Sequence, residues 1–156
     1  MIFFHPRKGP CSIDQMTRQI RDYIKEDANA QYKVVIGTDS QTNNRETLFV
    51  TAVIIQRLGK GALFYTHKRR HPSMKDLRSR IYTETEYSLD CVELLKGKFS
   101  ELLEDVPLEI HLDVGREGET RKLIQEVVGW VTAIGYTAKI KPEAYAASAV
   151  ADRYTK

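Results

Sequence analysis

Cysteine is scarce in this chain. Cys11 and Cys91 stand alone and far apart, with neither the spacing of a zinc site nor that of a redox pair, and they read as two reduced, ordinary thiols. Long apolar runs are missing too. No stretch approaches the length of a membrane span, so a membrane is not an expected partner. The opening residues, Met1-Ile2-Phe3-Phe4-His5-Pro6, contain no basic segment followed by a long apolar stretch, and the expected location is the cytoplasm. There is no internal repeat, low-complexity tract or linker. Neither charge sign dominates, since 24 Lys and Arg face 21 Asp and Glu, and a net charge of +3 does not by itself point to nucleic acid. What remains is the composition of a soluble globular protein, and 156 residues suffice for one domain with a real core.

The distribution of charge says more than its sum. Between Lys68 and Arg80 there are six basic residues against one acid, Asp76, so the rest of the chain is slightly acidic. Lys68, Arg69, Arg70, Lys75 and Arg78 form a candidate phosphate-tracking segment. A solvated loop and helix start would have the same composition.

Hydrophobic periodicity gives the order of elements. Ser12 is placed to cap a helix carrying Ile13, Met16, Ile20, Tyr23 and Ile24, which ends at Asp27-Ala28-Asn29-Ala30. A first strand is expected over Tyr32–Asp39, with a continuous apolar centre suited to burial on both faces. A second follows over Thr47–Arg57, and a third over Ala62–His67 after a Gly59-Lys60-Gly61 turn. A long helix, about Lys75 to Leu103, has Leu77, Ile81, Ser88, Val92, Leu95 and Phe99 along its buried stripe. A fourth strand spans Leu108–Val114, and Thr120 is a candidate cap for a helix carrying Leu123, Ile124, Val127, Val128 and Val131. Tyr136–Ile140 is a fifth strand, and Pro142 opens a last helix rich in small residues. The expectation is a single α/β domain over residues 1–156, with residues 1–31 as an N-terminal extension containing a helix. Its core is a five-stranded mixed sheet in the order 3-2-1-4-5, with helices on both faces.

In that order the connections leave the first and fourth strands in opposite directions, which makes a switch point where α/β sheets place ligands. Asp39 ends the first strand and Asp113 the fourth. A carboxylate at the end of a buried strand is costly unless something binds it. Glu84 follows Ile81 by three residues and precedes Ser88 by four, so it falls on the buried stripe, whereas Glu86 points away from it. Asp152, in the last helix, reads as a surface residue when taken alone and gains weight from the other three. Four carboxylates on two strands and two helices suit Mg²⁺ or Mn²⁺. Two such ions can activate a water and stabilise the leaving oxygen in phosphodiester hydrolysis, chemistry that needs no nucleophilic side chain, and none is evident.

The order β-β-β-α-β-α-β-α and the position of these acids resemble the ribonuclease-H-like superfamily. Val35-Ile36-Gly37-Thr38-Asp39-Ser40-Gln41, His111-Leu112-Asp113-Val114-Gly115 and the segment from Lys141-Pro142 to Asp152-Arg153-Tyr154 more narrowly resemble the YkuK family of bacterial ribonuclease-H-like proteins. The resemblance covers nearly the whole chain, the first helix preceding the superfamily core. It implies that Asp39, Glu84 (with Glu86 as the lesser choice), Asp113 and Asp152 hold one or two Mg²⁺ or Mn²⁺ ions in a nuclease acting on RNA, DNA or a hybrid. Ser40, Gln41, His71 and His111 are candidate accessory residues.

Other motifs fail on specific residues. Gly115 to Thr120 lacks the lysine that a P-loop needs. Gln41 stands where a haloacid-type phosphatase needs an acid, a von Willebrand-type metal site a serine and a sugar-kinase loop a glycine. His111 alternates with Asp113 on one strand face, and reads as a structural histidine or as an aid to proton transfer. Trp130, Tyr136 and Tyr145 read as packing residues, base stacking being the alternative for the two tyrosines. Two rival functions accompany the nuclease reading. One is a non-catalytic nucleic-acid- or protein-binding module that keeps the fold, and the other is a phosphohydrolase for a small nucleotide.

Overall fold

The computed structural model describes residues 1–99, 101–102 and 104–155, except for the side chains of Ala147, Ser148 and Asp152. A seven-stranded mixed sheet is its centre. In chain order the strands are β1 (Ile2–His5), β2 (Gly9–Ser12), β3 (Tyr32–Thr42), β4 (Glu46–Arg57), β5 (Ala62–Pro72), β6 (Leu108–His111) and β7 (Thr137–Lys139). Their order across the sheet is β2-β1-β5-β4-β3-β6-β7. Five of them keep the expected 3-2-1-4-5 arrangement, β5-β4-β3-β6-β7. The expected count of five is corrected by the hairpin β1–β2, which adds two strands beside β5 through the pair Phe4↔Thr66. Strands of four residues containing Pro10 give little sequence signal. Proline is tolerated there because β2 is an edge strand with no further ladder to donate to.

The helices are α1 (Ile13–Glu26), α2 (Leu77–Phe99), α3 (Ile124–Ile134) and a short α4 (Asp152–Thr155), preceded by a π-helical stretch over Ala146–Ala151. Ser12 caps α1 in a reciprocal box: its hydroxyl accepts from the Gln15 N–H and the Gln15 side chain accepts from the Ser12 N–H. Thr120 does not cap α3. Its hydroxyl accepts from the Gly115 N–H, and a 3₁₀ turn over Glu119–Leu123 leads into the helix. Nor does Pro142 open the last helix, for it sits in a turn before Ala146. β5 runs on through the basic residues to Pro72, so the expected basic connection is mostly strand.

Strand alternation sorts the core into two faces. Val34 and Ile36 of β3 and Val53 and Ile55 of β4 pack under Met16 and Ile20 of α1, Ile81, Leu89, Val92 and Leu95 of α2, and Val127 and Val131 of α3. The opposite side of the same strands, Val35, Val50, Ala52 and Ile54, is covered by Ala146, Val150 and Ala151 of the C-terminal segment. Among the described residues no helix is long and apolar enough to cross a membrane.

Phe3 of β1 is fully buried in the larger cluster. The N-terminal hairpin is therefore part of the core rather than an appendage. Phe3→Ala should cost about 3–5 kcal/mol of stability in urea unfolding, the range for truncating a buried Phe. A loss below about 1 kcal/mol would mean that the hairpin packs loosely.

Candidate metal centre

The parallel register across three strands lines up the residues that matter. Gly37 of β3 pairs with His111 of β6, and His111 pairs with Lys139 of β7. Two residues beyond these pairs in each segment come Asp39, Asp113 and Lys141, the last two past the ends of β6 and β7, where the Lys141 N–H donates to the Val114 carbonyl. Asp39 pairs with Val50 of β4 and so lies on the face of the C-terminal segment. It sits inside β3, three residues before the strand ends, rather than at its terminus. β6 stops at the level of Gly37, and beyond it α2 brings Glu84 to the strand edge from the other face. One ligand oxygen from each of Asp39, Glu84 and Asp113 lies within 4.8 Å of the others.

Helix phase decides between the two glutamates of α2. Glu84 is only 4% exposed, whereas Glu86 is exposed. Beneath Glu84 the helix docks through small polar groups: the Thr38 hydroxyl shares hydrogen bonds of 2.8 Å with both Thr51 and Ser88. Ser40 Oγ donates to Glu84 Oε2 at 2.5 Å and accepts from Arg80 Nε at 3.2 Å, while Arg80 Nη2 donates to the Ser40 carbonyl. Among the described residues Glu84 Oε1 is buried with no hydrogen-bond partner. Burial, then the charge on Asp113, and less strongly that on Asp39, push the Glu84 carboxyl well above the usual carboxylate range against the opposing Ser40 hydrogen bond and Arg80.

A divalent ion fits this arrangement. A buried carboxylate oxygen without a partner, next to two further carboxylates, is a hard oxygen donor set of the kind that Mg²⁺ and Mn²⁺ take. Lys141 Nζ already stands 2.8 Å from Asp113 Oδ1. Burial lowers the pKa of that ammonium, but its hydrogen bond to Asp113 and the nearby Asp39 and Glu84 raise it further, so Lys141 stays charged. A cavity of about 590 Å³ opens beside it, lined by Gly115, Arg116, Glu117, Ile140, Lys141, Pro142 and Glu143.

The other candidates fall in several places. Asp152 begins α4, and its side chain lies outside the described residues. Gln41 is exposed on β3 beside the buried Ser40. His71 Nδ1 contacts the Pro72 carbonyl, and its ring meets Phe49 edge-on, away from the acids. His111 is 1% exposed. The Ala146 N–H donates to its Nδ1 at 3.2 Å, so the proton sits on Nε2, which donates to Glu109 Oε1 at 3.0 Å. Burial lowers its pKa, and it is a neutral anchor for the C-terminal segment. In the basic run, Arg69 pairs with Asp90 and covers the Tyr87 ring, Arg70 pairs with Glu46, and Arg78 pairs with Glu126. Lys75 donates to the Asn44 side chain, and Lys68 is exposed. Trp130 stacks on Tyr82, Tyr145 meets His111 edge-on, and Tyr136 donates to Glu93, so all three serve packing.

Arg80 and Lys141 escaped the sequence reading. Arg80 carried a usable signal, lying one helical turn before Glu84. Lys141 carried a weaker one, its place just after the expected fifth strand, next to the fourth strand's end.

The family described as "Ribonuclease H-like" matches residues 15–156. A protein of Bacillus subtilis (strain 168), "Uncharacterized protein YkuK", is 33% identical over 168 residues, an alignment spanning 99% of this chain and 97% of that relative. No solved structure gives a significant match.

The raised Glu84 pKa fixes the sign of a pH effect. Folding makes this carboxyl hold its proton more tightly, so it lowers stability as pH rises from the ordinary glutamate value of about 4.3 through its raised folded value. Glu84→Gln removes that penalty and can keep the Ser40 contact. Without metal at pH 7.5, its Tm should exceed that of the unmodified protein by roughly 2–4 °C, equivalent to about 1 kcal/mol. The difference should close at about pH 4, where both states of the wild type are protonated. Equal Tm values at pH 7.5 would show that Glu84 carries no such strain.

Proposed function

The chain belongs to the ribonuclease-H-like family, and on that footing we propose that it is a Mg²⁺- or Mn²⁺-dependent nuclease hydrolysing phosphodiester bonds in RNA, DNA or a hybrid. The observation that carries this reading is the convergence of Asp39, Glu84 and Asp113, with one Glu84 oxygen buried and unpartnered among the described residues. Asp39, Glu84 and Asp113 hold the ion, with Asp152 of α4 as the fourth carboxylate. When bound there, a divalent ion supplies an activated water and offsets the charge that develops on the leaving oxygen.

The protein's own groups set the geometry. Ser40 fixes one oxygen of Glu84, and Arg80 fixes the Ser40 hydroxyl, so the carboxylate is held in one orientation at the site. β3 holds Asp39 within the sheet, and β6 ends two residues before Asp113, so both aspartates are carried on paired neighbouring strands. His111 ties the C-terminal segment that carries Asp152 to β6. The cavity beside Lys141 has the size and the mixed polarity to take a nucleotide next to the scissile phosphate. Lys68, Arg69, Arg70, Lys75 and Arg78 track the backbone of a longer strand, with Lys68 and Lys75 carrying most of the attraction. Arg69, Arg70 and Arg78 already face acids.

The test is cleavage of a panel of single-stranded, duplex, hybrid and branched substrates with Mg²⁺, Mn²⁺ or EDTA. Wild type should cleave at least one substrate with metal and none in EDTA. Asp39→Asn should reduce that rate on the order of 100-fold or more. Binding that weakens steeply with salt but shows no turnover would point to the non-catalytic module. Equal rates for wild type and Asp39→Asn on every substrate would remove the enzyme reading.

A further inference from the structure

The acidic site carries a built-in cation that the carboxylate pattern does not predict. Lys141 Nζ is 2.8 Å from Asp113 Oδ1, and Asp39 and Glu84 are near enough to act on its charge. Its backbone is held just past the end of β7, where the Lys141 N–H donates to the Val114 carbonyl beside Asp113 at 2.9 Å. Its stem is held as well: Lys141 Cβ would lie 3.2 Å from a side chain at Gly115, so glycine there makes room for the lysine. The Lys141 side chain is 45% exposed and lines the cavity beside the site. An ammonium has three N–H donors, and one suffices for Asp113.

We propose that Lys141 is the second cation of this centre, so that the site takes one divalent ion per chain rather than two. The proposal rests on the metal-dependent reading above and names the ion count that the reading leaves open. The three carboxylates that meet among the described side chains, Asp39, Glu84 and Asp113, together with the one ammonium leave two negative charges, which a single divalent ion balances before Asp152 is counted. A second divalent ion would have to share Asp113 with a lysine at hydrogen-bond distance, and the like charges would repel. The Lys141 ammonium instead provides the extra positive charge facing a phosphodiester in the cavity. It also competes with the metal for Asp113, and so it weakens metal binding.

The experiment is calorimetric titration of EDTA-stripped protein with Mn²⁺, with bound ion counted by electron paramagnetic resonance. Wild type should bind one Mn²⁺ per chain. Lys141→Met keeps the stem and removes the charge; it should bind Mn²⁺ at least about tenfold more tightly and take up a second ion. Lys141→Arg keeps the charge and should bind one ion, which separates the loss of charge from a general disturbance of the fold. Two ions in wild type, or unchanged affinity and count in Lys141→Met, would overturn the role of Lys141 while leaving the metal reading intact. If neither wild type nor Lys141→Met binds Mn²⁺, the metal reading falls and this inference falls with it.

Discussion

Mutual repulsion among carboxylates that the fold does not let separate is the constraint on which this structure turns. Two unit charges about 4 Å apart repel by roughly 4 kcal/mol at the effective dielectric of a protein surface. Asp39, Glu84 and Asp113 offer oxygens within 4.8 Å of one another. None can retreat. Asp39 lies within an eleven-residue strand between β4 and β6, and Glu84 within a 23-residue helix pinned by Ile81, Leu89 and Val92. The core therefore holds the strain in place. It is relieved by whatever positive charge or proton can reach the site: Lys141 on Asp113, and a proton or a metal on Glu84.

The sheet order explains why the acids meet at all. β3 and β6 are parallel neighbours whose connections run in opposite directions, and their carboxyl ends face the same edge. That much was legible in the sequence, because a hairpin meander followed by helical crossovers allows few arrangements. Glu84 was legible from helix phase, since Ile81 and Ser88 fix the buried side of α2. The N-terminal hairpin was not. Ile2-Phe3-Phe4-His5 is too short to show alternation, and prolines stand at 6 and 10. Its contribution comes from tertiary pairing at Phe4↔Thr66, which no local pattern encodes. The basic run misled in a different way. Composition showed six cations close together, but β5 takes three of them, Lys68, Arg69 and Arg70, alternation sends Arg69 and Arg70 to opposite faces, and each of these two arginines finds an acid on another element.

The C-terminal segment shows how a weakly patterned stretch can still be well placed. Ala144, Ala146 and Ala151 are fully buried, and residues this small let a backbone lie close against β3 and β4. Small side chains bury little apolar area, so burial alone would fix this segment poorly. The hydrogen bond from the Ala146 N–H to His111, and the Tyr145 ring against the same imidazole, supply the missing definition. His111 can accept that bond because Glu109 takes its proton on the other nitrogen. Glu109 and His111 alternate along β6 and Asp113 follows two residues after its end, so the strand that leads into the acidic cluster also positions the segment carrying Asp152.

Energetics separate a catalytic centre from a surface that merely kept the fold. A protein that only binds nucleic acid needs exposed cations and is weakened by acids beside them. An apolar residue at position 84 would pack against Ser88 and Ile81 with no desolvation cost, whereas a glutamate there must be dehydrated next to two like charges. Such a group is tolerated only where the surroundings over-determine its position, and here Ser40 and Arg80 do so. The hydrogen bonds satisfy one oxygen of Glu84 and leave the other buried and bare. A glutamate serving packing alone would gain by satisfying both oxygens, and one oxygen held beside two further carboxylates is a donor set that suits the proposed divalent ion.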